Sequence, residues 1–494
     1  MDYENSSKAQ KSRITSTLYW TVLVTCLGSL QFGYHLGELN AIGRVMSCRV
    51  SVPGPYPNRD SPWESLGFAK CIPTNNDQFA TVTTLLSAGG LLGSLAAGYL
   101  ANRLGRKPVS VLNCALYSLG SVVMMMSHNL ALLYTGRFIV GIAAGSCLVV
   151  APMLINEVTP EIHRGFMGSM MQFSVSGGIL LSQTLSVFWS NDQQWRNMFL
   201  NSSMLAVVSF CLTFTTVESP KWLIVNRSDY LRSTEILLKI RSEPEEIDAD
   251  VDHWRQLTER KYTEADELTE LLPSRSRRGS INQQATVSTL QFLTHKEFRE
   301  QAIAVIGVMT AAQLTGVNSI TFYGVDILSS MVSSSVLLIN LMVSLVNCTS
   351  VGVVSPFVDR LGRKPLLLVS ISLMMVSSAV IAFSTTHGYE LLASVCVFVF
   401  VMGYSLGLGP VPFLIVSELA DHRCAGTAQS LGTTMNWVSS IIVSYFFPIC
   451  LDAMKGYVFY LFTAIGAAYL AFTLKCIPET KGKVTVEAVW GRVY

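Results

Sequence analysis

Charged residues are scarce in this chain. Lys, Arg, Asp and Glu make up 14% of its 494 residues, whereas 50% of the residues are hydrophobic. Water-soluble domains contain about 25% charged residues, so this composition excludes an ordinary soluble protein. The mean hydropathy of +0.42 agrees with that exclusion. We therefore expect an integral membrane protein, with room for roughly twelve spans of about 20 residues each.

The chain also lacks the motifs of several functional classes. We find no nucleophile, base and acid set and no phosphate-binding GxxxxGK[ST] loop, so we expect neither an enzyme nor an ATP-driven pump. No Cys/His cluster has metal-ligand spacing, and we expect no metal and no cofactor. No A-x-A-like cleavage site accompanies the first apolar run, so we expect no cleaved signal peptide. The net charge of +2 is uninformative about nucleic acid, and we expect no nucleic-acid partner.

Most of the eleven cysteines lie inside apolar runs and do not suggest a disulfide framework. Cys48 and Cys71 are the exception, because both lie in the loop after the first span. That loop should face the non-cytosolic side, where an oxidising lumen would allow a bridge. Two free thiols are the alternative, and the sequence does not decide between them.

The charges that are present are unevenly placed. Of the 68 charged residues, 27 fall between Glu218 and Glu297, which leaves two apolar halves joined by one polar loop. Basic residues before the first span and after the second and eighth spans place both termini and the central loop in the cytosol. We predict a cytosolic N-terminus, a six-helix half, a central loop with short helices, a second six-helix half and a cytosolic tail, at 1–17, 18–217, 218–298, 299–477 and 478–494.

The two apolar halves carry an explicit internal repeat. Asn102–Pro108 reads NRLGRKP after the second span, and Asp359–Pro365 reads DRLGRKP after the eighth. The shared RLGRKP, six identical residues at matching places, predicts an all-α membrane protein of twelve helices in two six-helix halves. Such parallel repeats hold their substrate near the membrane midplane, between the halves.

Polar residues interrupt the seventh span at Ala312–Tyr323, AQLTGVNSITFY. Polar side chains inside a membrane helix are costly unless they face the bundle interior or water, so they indicate a functional face. Gln313 and Asn318 carry amides, which both donate and accept hydrogen bonds. Such groups suit a ligand that has many hydroxyls and no charge.

The chain resembles the sugar porters of the major facilitator superfamily along nearly its whole length, including the facilitative glucose transporters and yeast hexose porters. Within that family it is most similar to fungal vacuolar sugar-porter homologues. The resemblance rests on both RLGRK motifs and on GSLQFGYHLGELN at 28–40, YTGRF at 134–138, ESPKW at 218–222, QLTGVN at 313–318, GPVP at 409–412, NW at 436–437 and PETKG at 478–482.

The resemblance implies a set of solute-binding residues in the spans. These are Gln172, Gln313, Asn318, Asn347, Phe413, Asn436 and Trp437. Amides would bind ring hydroxyls, and an aromatic face would pack on the apolar side of a sugar. The alternative for each single amide is an interhelical hydrogen bond.

Three positions depart from the family pattern and weaken any inference of glucose specificity. Ala312 replaces the first of two glutamines, Ser405 replaces a glutamate, and Phe413 replaces a tryptophan. An unpaired buried polar group costs about 1–3 kcal/mol, so lost amides would weaken the binding of a ligand hydroxyl. Glucose specificity therefore does not follow, and we expect the substrate to be a hexose or a related neutral polyol.

Charged residues at the cytosolic ends of the spans predict a gate. We expect pairs to form across the two halves in the outward-open state and to break as the protein opens inward. Solvated helix-end charges are the alternative. The residues of this gate are Arg103, Glu157, Arg164, Arg360 and Glu418.

The first span carries two ionisable residues, His35 and Glu38, three positions apart and therefore on nearly one helix face. In the resemblance, proton-coupled members carry an Asp at the position of His35, and facilitative members a neutral residue. Because the unperturbed pKa of histidine is near 6.5, a modest acid gradient could change its charge. We expect a facilitator by default, with proton coupling through these residues as the alternative.

The central loop contains an acidic dileucine pattern at Glu267–Leu272, which sorting adaptors for the vacuole or lysosome would read. We expect a vacuolar membrane, with the plasma membrane as the alternative. A second function also stays open, namely a non-transporting sensor or trafficking factor on the same fold. The short tail after Gly482 argues against a receptor that signals through its tail.

Overall fold

The computed structural model describes residues 14–55, 61–160, 163–252, 254–255, 289–329, 336–420, 424–481, 483 and 486–491. The sorting pattern at Glu267–Leu272 and residues 1–13 lie outside this part of the chain. Within it, eight helical stretches are long and apolar enough to cross a membrane, and the last of them contains two helices.

Six long helices form the N-terminal half. They are α1 Ser16–Met46, α2 Asn76–Leu104, α3 Arg106–Met125, α4 Leu130–Val158, α5 Arg164–Trp189 and α6 Arg196–Thr213. Side-chain caps fix several of their starts. Thr15 accepts from the Leu18 amide, and Asn75 and Gln78 form a reciprocal capping box at α2.

The C-terminal half repeats this plan with two interrupted helices. It contains α7a Arg299–Leu314 and α7b Val317–Ser329, α8 Val336–Val354, α9 Arg363–His387, α10a Glu390–Leu406 and α10b Val411–Leu419, α11 Ala425–Met454, and α12 Val458–Cys476. Tyr323 departs from helical geometry inside α7b, with φ −124° and ψ 15°.

The repeated RLGRK segments form the same turn twice. Gly105 and Gly362 have φ of +107° and +91°, in the region that favours glycine, and each joins two helices. The Glu218 carboxylate accepts from the backbone N–H groups of Arg106 and Lys107 at the start of α3. Glu479 accepts from the backbone of Arg363 and Lys364 at the start of α9. A carboxylate at a helix N-terminus stabilises both starts.

Short helices cover this end of the bundle, at Pro220–Arg227, Tyr230–Ile240, Thr289–Thr294, Val358–Leu361 and Val486–Trp490. Trp222 donates its indole N–H to the Asn102 carbonyl, and Trp490 donates to the Leu419 carbonyl. We call this the motif end, because both RLGRK turns lie here.

The opposite end carries the loop between α1 and α2, in which a disulfide joins Cys48 to Cys71. We call it the disulfide end. A further short helix, Pro62–Ser65, lies in the same loop. Between the two ends the halves pack along α2 against α11, α5 against α8, and α1 against α7b.

Candidate functional site

The amides of α7a and α11 form one cluster. Gln313 Nε2 donates to Asn436 Oδ1 at 3.3 Å, and Asn436 Nδ2 donates to the Met309 carbonyl at 3.2 Å. Gln313 Oε1 is buried and has no hydrogen-bond partner among the described residues. The cluster therefore keeps one strong acceptor for a ligand hydroxyl.

The adjacent residue Trp437 supplies a donor. Its ring meets Phe32 of α1 edge to face, with centroids 6.0 Å apart, and lies against Gly90 of α2. Its side chain is 3% exposed, and its Nε1 has no hydrogen-bond partner in the described part of the chain. The unpaired donor therefore belongs to Trp437, the residue next to Asn436. The unpaired acceptor belongs to Gln313, which donates a hydrogen bond to Asn436.

Asn318 connects this cluster to the N-terminal half. Its Nδ2 donates to Ser440 Oγ at 2.8 Å, and Ser440 in turn shares a 2.8 Å hydrogen bond with Ser87 of α2. These three residues belong to three helices and to both halves. A change in the angle between the halves would therefore alter their contacts.

A second polar group lies between α5, α8 and α10a. Asn347 Oδ1 accepts from Ser405 at 2.8 Å and from Ser176 of α5 at 3.4 Å. Gln172 lies one turn before Ser176, and its Nε2 is beside Gly409. Ser405, which stands in place of the family glutamate, thus binds a predicted site residue and adds no charge.

The predicted solute residues consequently fall into two groups. Gln313, Asn318, Asn436 and Trp437 lie together on α7 and α11. Gln172 and Asn347 lie on the α5 and α8 side, and Phe413 is half-buried at the start of α10b. Ala312 is 1% exposed and packs in the core.

Hydrogen bonds fasten the halves together at the disulfide end. The Tyr323 hydroxyl shares a 2.6 Å bond with Thr83 of α2 and donates to the Ser444 carbonyl of α11 at 2.8 Å. Asn340 donates to Gln183 of α5 at 2.6 Å and accepts from Asn40 of α1 at 3.4 Å.

Charged residues add to this closure. Arg44 of α1 lies 3.6 Å from Asp326 of α7b, and Asn76 donates to Asp452 at 2.6 Å. Beyond these contacts lies a cavity of about 580 Å³, lined by Tyr323 and by charges of both signs, including Arg49 and Asp452. Its charged lining distinguishes it from the uncharged amide cluster.

At the motif end, acidic residues pair within their own half. Glu157 binds Arg106 through two 2.8 Å hydrogen bonds, and Glu418 binds Arg363 at 2.8 Å. Thr480 also donates to Glu418. Neither arginine is among the predicted gate residues.

The other predicted gate residues make different contacts. Arg103 donates to the Tyr99 hydroxyl at 3.4 Å, Arg164 donates to the Thr159 carbonyl, and Arg360 lies over the Phe357 ring. These contacts describe the state in which the disulfide end is fastened. Pairing across the halves in the opposite state stays a prediction.

The two predicted coupling residues form a buried cluster with an arginine. Glu38 Oε1 lies 2.8 Å from His35 Nδ1 and 2.7 Å from Arg137 Nη1 of α4. All three side chains have 0% exposure. The His35 ring stacks on Tyr117 of α3, with centroids 5.5 Å apart and planes 9° apart. A charge change in this cluster would therefore alter contacts of α1, α3 and α4 at once.

Several of these partners were not predicted from the sequence. Arg137 lies inside a span, and an intramembrane arginine is a strong functional signal. Gln183 and Asn340 gave the same signal more weakly. Ser87, Ser176 and Ser440 gave none, because serine is common in membrane helices and can bond its own backbone.

Comparisons with known proteins agree over most of the chain. The family model described as "Sugar (and other) transporter" matches residues 21–490. A "Probable metabolite transport protein YBR241C" of Saccharomyces cerevisiae is 35% identical over 98% of this chain and 97% of its own length. The "Vacuolar protein sorting-associated protein 73" of the same yeast is 34% identical over 96% of both chains.

A solved structure of the "MFS (major facilitator superfamily) proton:xylose symporter XylE bound to 6-bromo-6-deoxy-D-glucose" superposes with a TM-score of 0.73. It covers 96% of this chain and 99% of its own, at 22% identity. At 22% identity this likeness shows the fold alone.

Proposed function

The chain belongs to the sugar (and other) transporter family, and from this premise we propose that it carries a hexose or a related neutral polyol by alternating access. It is a multi-pass membrane protein with the major facilitator fold of twelve helices in two halves, as the sequence predicts. The substrate, its route and its driving force are the proposed part.

One observation carries the choice of substrate class. The unpaired Gln313 Oε1 and the unpaired Trp437 Nε1 flank the Asn436 amide in a buried cluster without formal charge. A sugar hydroxyl donates and accepts at once, so it can satisfy both groups. Buried unpaired polar atoms cost about 1–3 kcal/mol each, and a ligand that pairs them recovers that energy.

The fastened disulfide end supports an alternating cycle. In this state the halves are hydrogen-bonded at Tyr323 and Asn340, while Glu157 and Glu418 each stay within their own half. We assign the motif end to the cytosol by the positive-inside rule. The solute would then leave toward the cytosol at the motif end. Arg103, Arg164 and Arg360 would change partners as the two halves rock against each other.

Facilitation is the default driving mode, because a neutral amide site needs no coupled ion. Proton coupling is the second candidate, and the His35, Glu38 and Arg137 cluster supports it. In that cluster one carboxylate oxygen of Glu38 contacts both His35 and Arg137, and all three side chains have 0% exposure. Proton-dependent transport would appear as solute accumulation driven by pH alone.

We place the protein in the vacuolar membrane, with the plasma membrane as the alternative. The likeness to a vacuolar protein sorting-associated protein supports this location. That relative also keeps the sensor or trafficking role open as a competing function. An adaptor at Glu267–Leu272 would provide the sorting, and alanine at Leu271 and Leu272 should then redirect the protein to the plasma membrane.

The deciding experiment is solute exchange in proteoliposomes with a panel of labelled hexoses and polyols. Gln313→Ala, Asn318→Ala and Asn436→Ala should each remove about 1–3 kcal/mol of binding, which is about five-fold to a hundredfold in affinity. Trp437→Phe keeps the ring and removes the donor. Asn197→Ala is the matched control, because Asn197 accepts from Trp63 in the disulfide-end loop, away from the site.

Folded wild-type protein that exchanges none of the solutes would refute the transport function and favour the sensor or trafficking role. Exchange that all four site variants leave unchanged would refute the site.

A further inference from the structure

The indole of Trp437 lies directly on the backbone of the opposite half. A β-carbon added to Gly90 of α2 would lie 2.6–2.7 Å from three carbons of the ring, Cη2, Cζ3 and Cζ2. Carbon atoms pack at roughly 3.5–4.0 Å, so no side chain fits between this part of α2 and the ring. The absence of a side chain at Gly90 therefore permits a contact that any other residue would prevent.

The backbone of α2 has no room to move at this point, because it is in direct contact with α4. A β-carbon on Gly145 of α4 would lie 1.9 Å from the Gly90 carbonyl oxygen. A β-carbon on Gly89 would lie 2.9 Å from the Gly141 Cα. Close-packed backbones of this kind resist displacement and transmit strain to their neighbours. A methyl group at position 90 would therefore move the indole, by about 1 Å, and leave α2 in place.

The position of the indole decides where its N–H group points. The ring meets Phe32 of α1 edge to face as well as Gly90, and the Trp437 side chain is 3% exposed. Its Nε1 has no hydrogen-bond partner among the residues that the structure describes. Because packing alone holds the ring, a shift of the ring is also a shift of this unpaired donor.

Gly90 and Trp437 form part of a regular contact between α2 and α11. Ser87, three residues before Gly90, shares a 2.8 Å hydrogen bond with Ser440, three residues after Trp437. The two helices thus run antiparallel along this contact, with the glycine and the indole at matching positions. Since α2 and α11 belong to different halves, Gly90 supports the indole only while these parts of the two halves are together.

We propose that Gly90 is a positioning residue of the solute site. Because it leaves room for the indole, it fixes the place of the Trp437 Nε1 donor and thereby the affinity for the solute. The inference rests on the proposed function, since it takes Trp437 as a donor to the solute. It also makes α2 of the N-terminal half part of a site whose Gln313 and Asn436 amides belong to the C-terminal half.

A double-mutant cycle in the full-length protein tests this role. Gly90→Ala adds one methyl group, and Trp437→Phe removes the three outer ring carbons that this methyl group would meet, together with the N–H. In the otherwise native protein, Gly90→Ala should weaken solute affinity by about five-fold to a hundredfold, the range for one lost hydrogen bond. In the Trp437→Phe background it should change affinity by less than about two-fold, because both the clash and the donor are gone.

Gly98→Ala is the matched control. Gly98 lies on the same helix, nearer the motif end, and a β-carbon there would meet nothing within 4 Å. This variant makes the same chemical change on α2 without a clash, so it should leave solute affinity unchanged. A loss as large as that of Gly90→Ala would overturn the inference.

Two measurements separate the inference from the proposed function. Half-saturation of solute exchange in proteoliposomes reports transport. The rise in unfolding temperature that a solute causes in the purified protein reports binding with or without transport. Wild-type protein that binds a solute but exchanges none would refute transport, and the binding cycle would then decide the role of Gly90. Wild-type protein that neither binds nor exchanges any solute would refute both proposals.

The two backgrounds distinguish positioning from packing. A loss of equal size in both would show that Gly90→Ala acts through the packing of α2 on α4, and would overturn the inference. Unchanged affinity of Gly90→Ala in the otherwise native protein would overturn it as well. If Gly90→Ala alone does not fold, the double variant decides. A folded double variant with the affinity of Trp437→Phe supports the inference, and an unfolded one contradicts it.

Discussion

In the N-terminal half Glu157 binds Arg106 and Glu218 caps α3, and in the C-terminal half Glu418 binds Arg363 and Glu479 caps α9. The interiors differ. The first half buries Glu38 and Arg137 completely, whereas no Lys, Arg, Asp or Glu among the described residues of the second half is buried. The second half instead carries the amide cluster of α7 and α11.

This difference indicates a division of roles between two copies of one architecture. The shared motif-end turns hold the helix ends in place in both halves. In the proposed function, the amides of α7 and α11 would bind a neutral solute, and the ionisable cluster of α1 and α4 would serve the proton-coupled alternative. Changes that affect one half strongly and the other weakly test this division.

The largest effect should come from the buried ion pair. Arg137→Ala leaves the Glu38 carboxylate buried with one partner fewer, which should cost about 3–5 kcal/mol. Thermal unfolding of the detergent-purified protein measures the loss. Replacing both Glu38 and Arg137 with Met should restore much of the stability, since apolar residues can substitute for a buried pair. An unchanged unfolding temperature for Arg137→Ala would contradict the asymmetry.

A slightly smaller effect is expected from the disulfide, which belongs to the N-terminal half. Cys48→Ser with Cys71→Ser opens a loop with a sequence separation of 23. The chain-entropy model assigns such a loop about 3 kcal/mol. The same unfolding assay should show a lower midpoint for this double variant. Cys211→Ser, at an exposed free cysteine, should leave the midpoint unchanged. Equal midpoints for the two variants would refute this contribution.

The motif-end pairs should rank by burial. Arg106 and Glu157 are 6% and 12% exposed, whereas Arg363 and Glu418 are 14% and 30% exposed. Glu157→Gln should cost about 1.5–3 kcal/mol, as for hydrogen bonds to charged groups. Glu418→Gln should cost less, about 1 kcal/mol, because water screens its pair. A reversed order in the unfolding assay would show that burial does not set these energies.

The smallest effect concerns pH at the two caps. Burial raises the pKa of the Glu218 carboxyl, and the hydrogen bonds from Ser219, Lys107 and Arg106 oppose it incompletely. Burial also acts on Glu479, but there backbone hydrogen bonds outweigh it and lower the pKa. The Glu479 contribution is therefore present above the ordinary value of 4.5 and disappears as pH falls through the lowered value.

Glu218 has the opposite sign, so protonation through its raised pKa favours the folded state. Glu479→Gln should accordingly destabilise more at pH 7 than Glu218→Gln, and its deficit should shrink on acidification. Unfolding midpoints measured from pH 7 down to about pH 3, below the ordinary value of 4.5, would decide. Equal pH profiles for the two variants would contradict the assignment.

The fold and the family were predictable from the sequence, and both predictions are confirmed. Apolar run length and the repeated RLGRK segments carry that information locally. The amide positions were also visible, because polar side chains stand out inside apolar runs. The contacts among these amides were not predictable from the sequence, because Asn318 and Ser440, which form a hydrogen bond, lie 122 positions apart.

Other features depend on state or on packing. The sequence left Cys48 and Cys71 open, and the structure joins them. The gate prediction did not name Arg106, with which Glu157 pairs in the structure. Arg137 was visible as part of a motif, but its partner Glu38 lies 99 positions away on another helix. Pairing of this kind depends on helix packing, which periodicity does not encode.

The Tyr323 hydroxyl, held between Thr83 and the Ser444 carbonyl, has a practical consequence. A blocker of the proposed solute site would, in this conformation, have to enter from the motif end, so it would act from one face of the membrane. In sealed vesicles an impermeant blocker would silence the molecules whose motif end points outward. The fraction of activity that it removes would count how many molecules were inserted in each orientation.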